Sequence, residues 1–429
     1  MTRRGEPPGE AHSRLARRLG TGDAVVIGLG AMLGAGVFAA FAPAARAAGS
    51  GILLALGVAA FVAYCNATSS AQLAALYPQA GGTYVYGRER LGPFFGFLAG
   101  WGFVVGKIAS CAAMAITFAA YAAPGAERPV AVAAVVVLTA VNTLGIQRTA
   151  GLTRVIVAVV LAGLLLAVVA ALAGDHPEAD HLRPVTGTGA YGILQAAGLL
   201  FFAFAGYARI ATLGEEVVAP ERTIPKAIPL ALGIVLAVYA AVAVTVLTVL
   251  GPTRLAHAAA PLAAAVKAGS LDELTPLVRV AAAIACLGVL LSLIAGIGRT
   301  AFAMAANREL PHAFATVHPR HRVPWVAEVA VGAVVAVLAA TLDLRHAIGF
   351  SSFAVLVYYA IANASAFTLA RPWLRLLAVA GLVGCLTVAF SLPWTSVAPG
   401  AGVLAAGSVV YAARLQSSRW RRPKTGDPS

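Results

Sequence analysis

Charge is scarce in this chain: Asp, Glu, Lys and Arg make up 11 % of its 429 residues, against about 25 % in soluble domains. That excludes an ordinary soluble fold. Acids are the scarcer half, 17 against 31 basic residues, and lysine is reduced to Lys107, Lys226, Lys267 and Lys424. Cysteine is limited to Cys65, Cys111, Cys286 and Cys385, each inside an apolar stretch. Neither a disulfide framework nor a zinc site has the ligands it would need, and helix packing is the expected role of all four. Met1–Gly20 contains Arg3, Arg4, Arg14, Arg17 and Arg18 but no short apolar core with a small-residue cleavage site, so it reads as a cytosolic tail and not a signal peptide.

What is present is apolar. Hydrophobic residues are 60 % of the chain, about what twelve spans of some 20 residues require. Runs separated by Gly, Pro or charge predict an all-α membrane protein with about twelve spans, starting near Asp23, Gly51, Pro93, Pro129, Gly151, Gly189, Ala227, Leu274, Val323, Ala347, Pro372 and Pro393. The formal charge of +14 is spread between these runs rather than along one soluble face, which argues against a nucleic-acid partner. With the tail in the cytosol, 22 of the 31 basic residues fall in inner segments, 7 in outer loops and two, Lys107 and Arg209, within spans. The positive-inside rule then sets both termini inside.

Two spans differ from the rest. Span 1 holds the run GLGAMLGAGVF from Gly28 to Phe38, and span 6 holds FFAFAGY from Phe201 to Tyr207. Glycine in those interiors weakens a continuous helix, and interrupted helices at matching places in two halves point to a transporter site. Five spans of separation is an odd number, so the halves would be inverted relative to one another. In span 1, N–H groups freed at a break around Gly34, Ala35 and Gly36 can receive a carboxylate. Small-residue packing through Gly30 and Gly34 explains the same run equally well. In span 6, a break would free carbonyls for an ammonium, and the rings of Phe202, Phe204 and Tyr207 could cover a ligand.

The segment Phe201 to Ile228, FFAFAGYARIATLGEEVVAPERTIPKAI, resembles the sixth span and following loop of amino acid permeases in the amino acid, polyamine and organocation transporter superfamily. The span-1 run is similar to that family's first break. So are YPQAGGTYVYGRERLGPFFGFLAGWGF, from Tyr77 to Phe103, and GRTAFAMAANRELPHAFATVHPRHRVP, from Gly298 to Pro324. The resemblance implies a five-plus-five inverted-repeat core with broken helices 1 and 6. It divides the chain into a tail at 1–20, a ten-helix core at 21–370, two peripheral helices at 371–415 and a cytosolic tail at 416–429. It places an amino acid carboxylate on the N–H groups of Gly34, Ala35 and Gly36 and its ammonium on the carbonyls of Met32, Phe202 and Ala205. Many members have Ser or Thr where Ala35 stands, which removes one side-chain hydrogen bond here.

The resemblance also raises the question of the coupling ion. Some proton-coupled members carry a lysine in span 5, and Val160 or a neighbour stands at that point. A sodium site would use span-1 carbonyls and span-8 hydroxyls, of which Ser292 is one with few companions. Lys107, about 14 residues or roughly 20 Å into span 3, is deep enough to suggest function. A buried lysine is a group that exchanges its proton as its surroundings change, although a static cation capped by carbonyls fits as well. Phe204, Arg209 and Ser292 complete the gating and coupling candidates, with Asp23 or Glu215 as partners for Arg209. His312, His318 and His321 lack zinc-ligand spacing. Asn66 and Asn363 fit the glycosylation pattern but lie within spans, where the modification cannot occur.

The expected function is proton-coupled import of neutral amino acids across the plasma or inner membrane, with no cofactor, with lipid as surroundings and with the oligomeric state open. An exchanger, an exporter, a carrier of cationic amino acids or polyamines, and sodium coupling all stay open. An intramembrane enzyme would need paired catalytic groups at depth, and no H-E-x-x-H or G-x-S-x-G motif occurs. The orientation is testable with single cysteines in a background lacking the native four. Asp180→Cys should react with an impermeant maleimide in intact cells, and Arg320→Cys should react only after lysis. The reverse pattern would invert the topology.

Overall fold

A computed structural model describes residues 19–78, 81–145, 150–174, 178–183, 189–214 and 216–420, with the backbone alone at Ala35, Ala150 and 417–420. In chain order the helices are α1 (Thr21–Met32), α2 (Ala35–Ala39), α3 (Phe41–Ala48), α4 (Ile52–Leu76), α5 (Thr83–Leu91) and α6 (Pro93–Ala122). They continue with α7 (Glu127–Thr143), α8 (Ala150–Leu172), α9 (Gly189–Phe204), α10 (Ala208–Ala211), α11 (Pro220–His257) and α12 (Pro261–Ala268). The remainder are α13 (Thr275–Ala306), α14 (Trp325–Thr341), α15 (Leu344–Phe367), α16 (Pro372–Ser391) and α17 (Trp394–Trp420). Among the described residues no strand forms beyond an isolated bridge between Leu19 and Val217.

The punctuation is local chemistry. Proline stands in the first turn of α6, α11, α12 and α16, where its missing N–H costs nothing and its fixed φ favours the helix. Gly251, at φ 67° and followed by Pro252, bends α11 near its end. Ten helical stretches are long and apolar enough to cross a membrane. Where the other two spans are expected stand the 17-residue helices α7 and α14, neither of which is among those ten.

The helices α13 and α15 pack on α6, while α4 lies against α9 and α11. The window of α15 is 83 % buried, that of α16 39 % and that of α17 22 %, so the last two helices line the outside of the bundle. One buried polar cluster crosses three helices. Asn363 Nδ2 donates to Asn66 Oδ1 at 2.6 Å and Cys385 Sγ to the same oxygen at 3.2 Å, tying α4, α15 and α16 together. Both asparagines of the apparent glycosylation motifs are therefore fully buried and engaged with each other. All four cysteines are buried and free.

At one end of the bundle α5 is latched to the segment after α13. Tyr84 Oη donates to Glu309 Oε2 at 2.9 Å and accepts from Arg88 Nη1 at 3.0 Å and Asn307 Nδ2 at 2.8 Å. Arg88 also pairs with Glu309 Oε1 at 2.9 Å. Burial and the adjacent Glu309 charge push the Tyr84 hydroxyl up to about 12, and burial raises the Glu309 carboxyl above its ordinary value despite Arg88. A proton-sharing cluster thus holds this loop against the helix ends.

Candidate functional site: two broken helices joined by tyrosine

The expected break in span 1 is present. The helix α1 stops at Met32, Leu33 turns away at ψ 48°, Gly34 adopts φ −105° and ψ −143°, and α2 starts at Ala35. No side chain caps α2, so the N–H groups of its first turn face the gap. The span-6 interruption is tighter than full unwinding. After Phe204 the chain makes a single 3-10 turn, Ala205–Tyr207, and resumes as α10.

Close approach explains the glycines. A Cβ on Gly36 would stand 2.5 Å from Ala203 Cα, and one on Gly206 would stand 2.8 Å from Met32 Cγ and closer still to the Ala31 carbonyl. Only glycine lets the two breaks touch. The packing and binding readings of the glycine run are therefore compatible, since Gly36 and Gly206 bring together the ends that carry the free backbone groups.

Tyrosines then take up the carbonyls. Tyr239, on α11, is 1 % exposed. Its Oη lies 2.6 Å from the Met32 carbonyl and 2.9 Å from that of Ala203, and its one proton is shared between them. The ring of Phe204 packs on it edge-on at 5.1 Å. Ala205 O accepts from Tyr359 Oη at 3.3 Å and from Lys107 Nζ at 3.4 Å. Lys107, 7 % exposed in the middle of the 30-residue α6, therefore reaches the second break. Phe202 is buried one turn before that break.

Ser292 and Arg299 have accessible surface on α13, and a Cβ on Gly296 would meet nothing within 4 Å. Beside the first break Tyr121 is buried, donates to Phe38 O at 3.0 Å and accepts from the Leu262 N–H at 3.3 Å, so α6, α2 and the start of α12 are tied together there.

Several expected partnerships differ. Asp23 is bonded to Arg154 rather than Arg209, whose Nη1 reaches Thr212 Oγ1 at 3.5 Å; Glu215 lies outside the described residues. Ser292 Oγ donates to Gly288 O at 3.1 Å. Val160 is buried in α8. His318 Nδ1 accepts from the N–H groups of Arg320 and His321, both at 3.2 Å, which makes it part of a turn. Tyr239, Tyr359 and Tyr121 were not singled out in the sequence, although a tyrosine within an apolar span always needs a partner for its hydroxyl.

A bundle of long apolar helices with two of them interrupted at a shared centre is the architecture of a multi-pass membrane transporter. The amino acid permease family model matches residues 23–394, and the chain belongs to that family. It is 61 % identical to an uncharacterized transporter of Mycobacterium tuberculosis over 99 % of this chain and 98 % of that protein. It is 24 % identical to the branched-chain amino acid permease of Bacillus subtilis over 92 % of each. To cationic amino acid transporter 6, chloroplastic, of Arabidopsis thaliana it is 28 % identical over 97 % of this chain and 78 % of that one. Amino acid transport is the activity that this family membership supports.

Tyr239→Phe removes the hydroxyl shared by the two breaks and leaves buried carbonyls short of a donor, at a cost of about 1–3 kcal/mol. The variant should reach the membrane, unfold at a lower temperature in detergent and lose most of its substrate affinity. Wild-type affinity would show that the bridge does not set the site.

Proposed function

We propose that the protein imports neutral amino acids together with protons, binding them between the α1–α2 break and the Ala205–Tyr207 turn. The carboxylate is received by the N–H groups of Gly34, Ala35 and Gly36, and the ammonium by the carbonyls of Met32, Phe202 and Ala205. The observation that carries this reading is the meeting of an uncapped first turn of α2 with carbonyls that hydroxyl and ammonium donors already mark as acceptors. These two poles match the two charged ends of an amino acid.

The preference for neutral side chains follows from where the acids are. Those in the membrane-crossing helices sit in first turns, Asp23 of α1, Glu127 of α7, Glu221 of α11 and Glu328 of α14. Among the described residues the one charge bonded to the breaks is the cation Lys107. A cationic side chain would be buried beside a like charge without a counter-ion, which is costly. The branched-chain permease is the relative whose name agrees with this; the cationic transporter points the other way, and Lys107 argues against it here.

Proton coupling is assigned to Lys107. It is a titratable group on the site itself, whereas Ser292 offers sodium a single hydroxyl. When a substrate ammonium arrives at Ala205 O, a second cation alongside it is disfavoured, so binding and loss of the lysine proton are linked. Phe204 backs the Tyr239 bridge, and Arg209, just beyond the second break, is assigned to the cytosolic gate.

In proteoliposomes with an imposed inward proton gradient, labelled leucine, alanine or phenylalanine should accumulate, and excess arginine or putrescine should compete poorly. Lys107→Met should abolish gradient-driven accumulation while exchange of preloaded substrate persists. Undiminished accumulation in that variant would make the lysine structural, and stronger competition by arginine would overturn the neutral preference.

A further inference from the structure

Lys107 is a buried ammonium, and among the described residues no carboxylate pairs with it. Its partner is the Ala205 carbonyl, 3.4 Å from Nζ. The same oxygen accepts from Tyr359 Oη at 3.3 Å, so both of its lone pairs are taken. A substrate ammonium bound there has to displace a donor, and Lys107, on a flexible four-carbon stem, is the one able to withdraw. An ammonium of the protein itself thus stands at the carbonyl assigned to the substrate amine.

Resting on the binding site set out above, we propose that Lys107 is a built-in substitute for the substrate amine, which gives the pocket a second class of ligand: small apolar monocarboxylates without an α-amino group. Such an acid sets its carboxylate at the first turn of α2, leaves Lys107 on Ala205 O and supplies the counter-charge that the fold withholds. An amino acid instead brings its own ammonium and expels the lysine from the carbonyl. The corresponding amine without a carboxylate gains neither term, because it meets the lysine as a like charge and leaves the α2 N–H groups empty. The des-amino acid and the amino acid therefore bind in competition, and removing the lysine moves them in opposite directions.

The test compares leucine with isocaproate, its des-amino acid, and isoamylamine, its decarboxylated form, by thermal shift and competition on the purified full chain in detergent. With wild type, leucine and isocaproate should both stabilise and exclude one another, and isoamylamine should have no effect. Lys107→Met should bind leucine roughly three- to tenfold tighter, one competing hydrogen bond having gone, and isocaproate about tenfold weaker or worse. Phenylalanine and hydrocinnamate repeat the comparison for a larger side chain. Leucine binding without isocaproate binding in wild type, or equal loss of both in Lys107→Met, overturns the proposal and leaves the amino acid site standing. Isocaproate bound while none of the twenty amino acids binds overturns the amino acid site instead. The wild-type measurements decide the matter even if the variant fails to fold.

Discussion

A helix can be interrupted at membrane depth only where other groups accept or donate the hydrogen bonds its backbone gives up, because hydrocarbon offers none. In this protein that requirement is met largely by tyrosine. Tyr239 lies between the carbonyls of Met32 and Ala203, one from each broken span, and Tyr359 with Lys107 occupies Ala205 O. The glycines make this reach possible, since Gly36 and Gly206 let one break lie against the other. Side chains from α11, α15 and α6 thus converge on two short stretches of backbone, and the remaining packing serves to hold those three helices in place.

The same constraint sets the polarity of the site. Helix ends offer N–H groups on one side of the gap and carbonyls on the other, and the proposed ligand, with one negative and one positive pole, matches them without any charged side chain having to be buried for the purpose. Lys107 is the exception. Charge buried without an acid is costly, and its presence at one pole is why the proposed coupling of ligand charge to protonation is placed there.

Much of this was legible in the sequence because it is written locally. Most helix starts fall within about three residues of those expected from Gly, Pro and charge, and both breaks lie where glycine and small residues interrupt apolar runs. One start is expected too late: α11 begins at Pro220 and not near Ala227, because Glu221, Arg222 and Lys226 of its first turns resemble a loop in composition while Pro220 opens the helix. The lysine at depth stood out through its cost. What stayed hidden depends on long-range contact. Nothing local to Tyr239 says that its hydroxyl reaches a carbonyl 207 positions away, or that Asp23 is taken by Arg154, 131 positions on. The close packing of Gly36, which the proposed binding turn shares, likewise emerges only once Ala203 is seen against it.

The central claim is that an amino acid carboxylate rests on the first turn of α2, opposite Ala205. It is tested most directly by a magic-angle-spinning NMR distance between the carboxyl carbon of a labelled bound neutral amino acid and the backbone nitrogens of glycine-labelled protein in lipid. The account predicts a dipolar contact to Gly36 within about 4 Å, the separation set by an N–H donating to a carboxylate oxygen, and its loss when unlabelled substrate competes. A bound amino acid with no glycine nitrogen of the α1–α2 break inside that distance would contradict it.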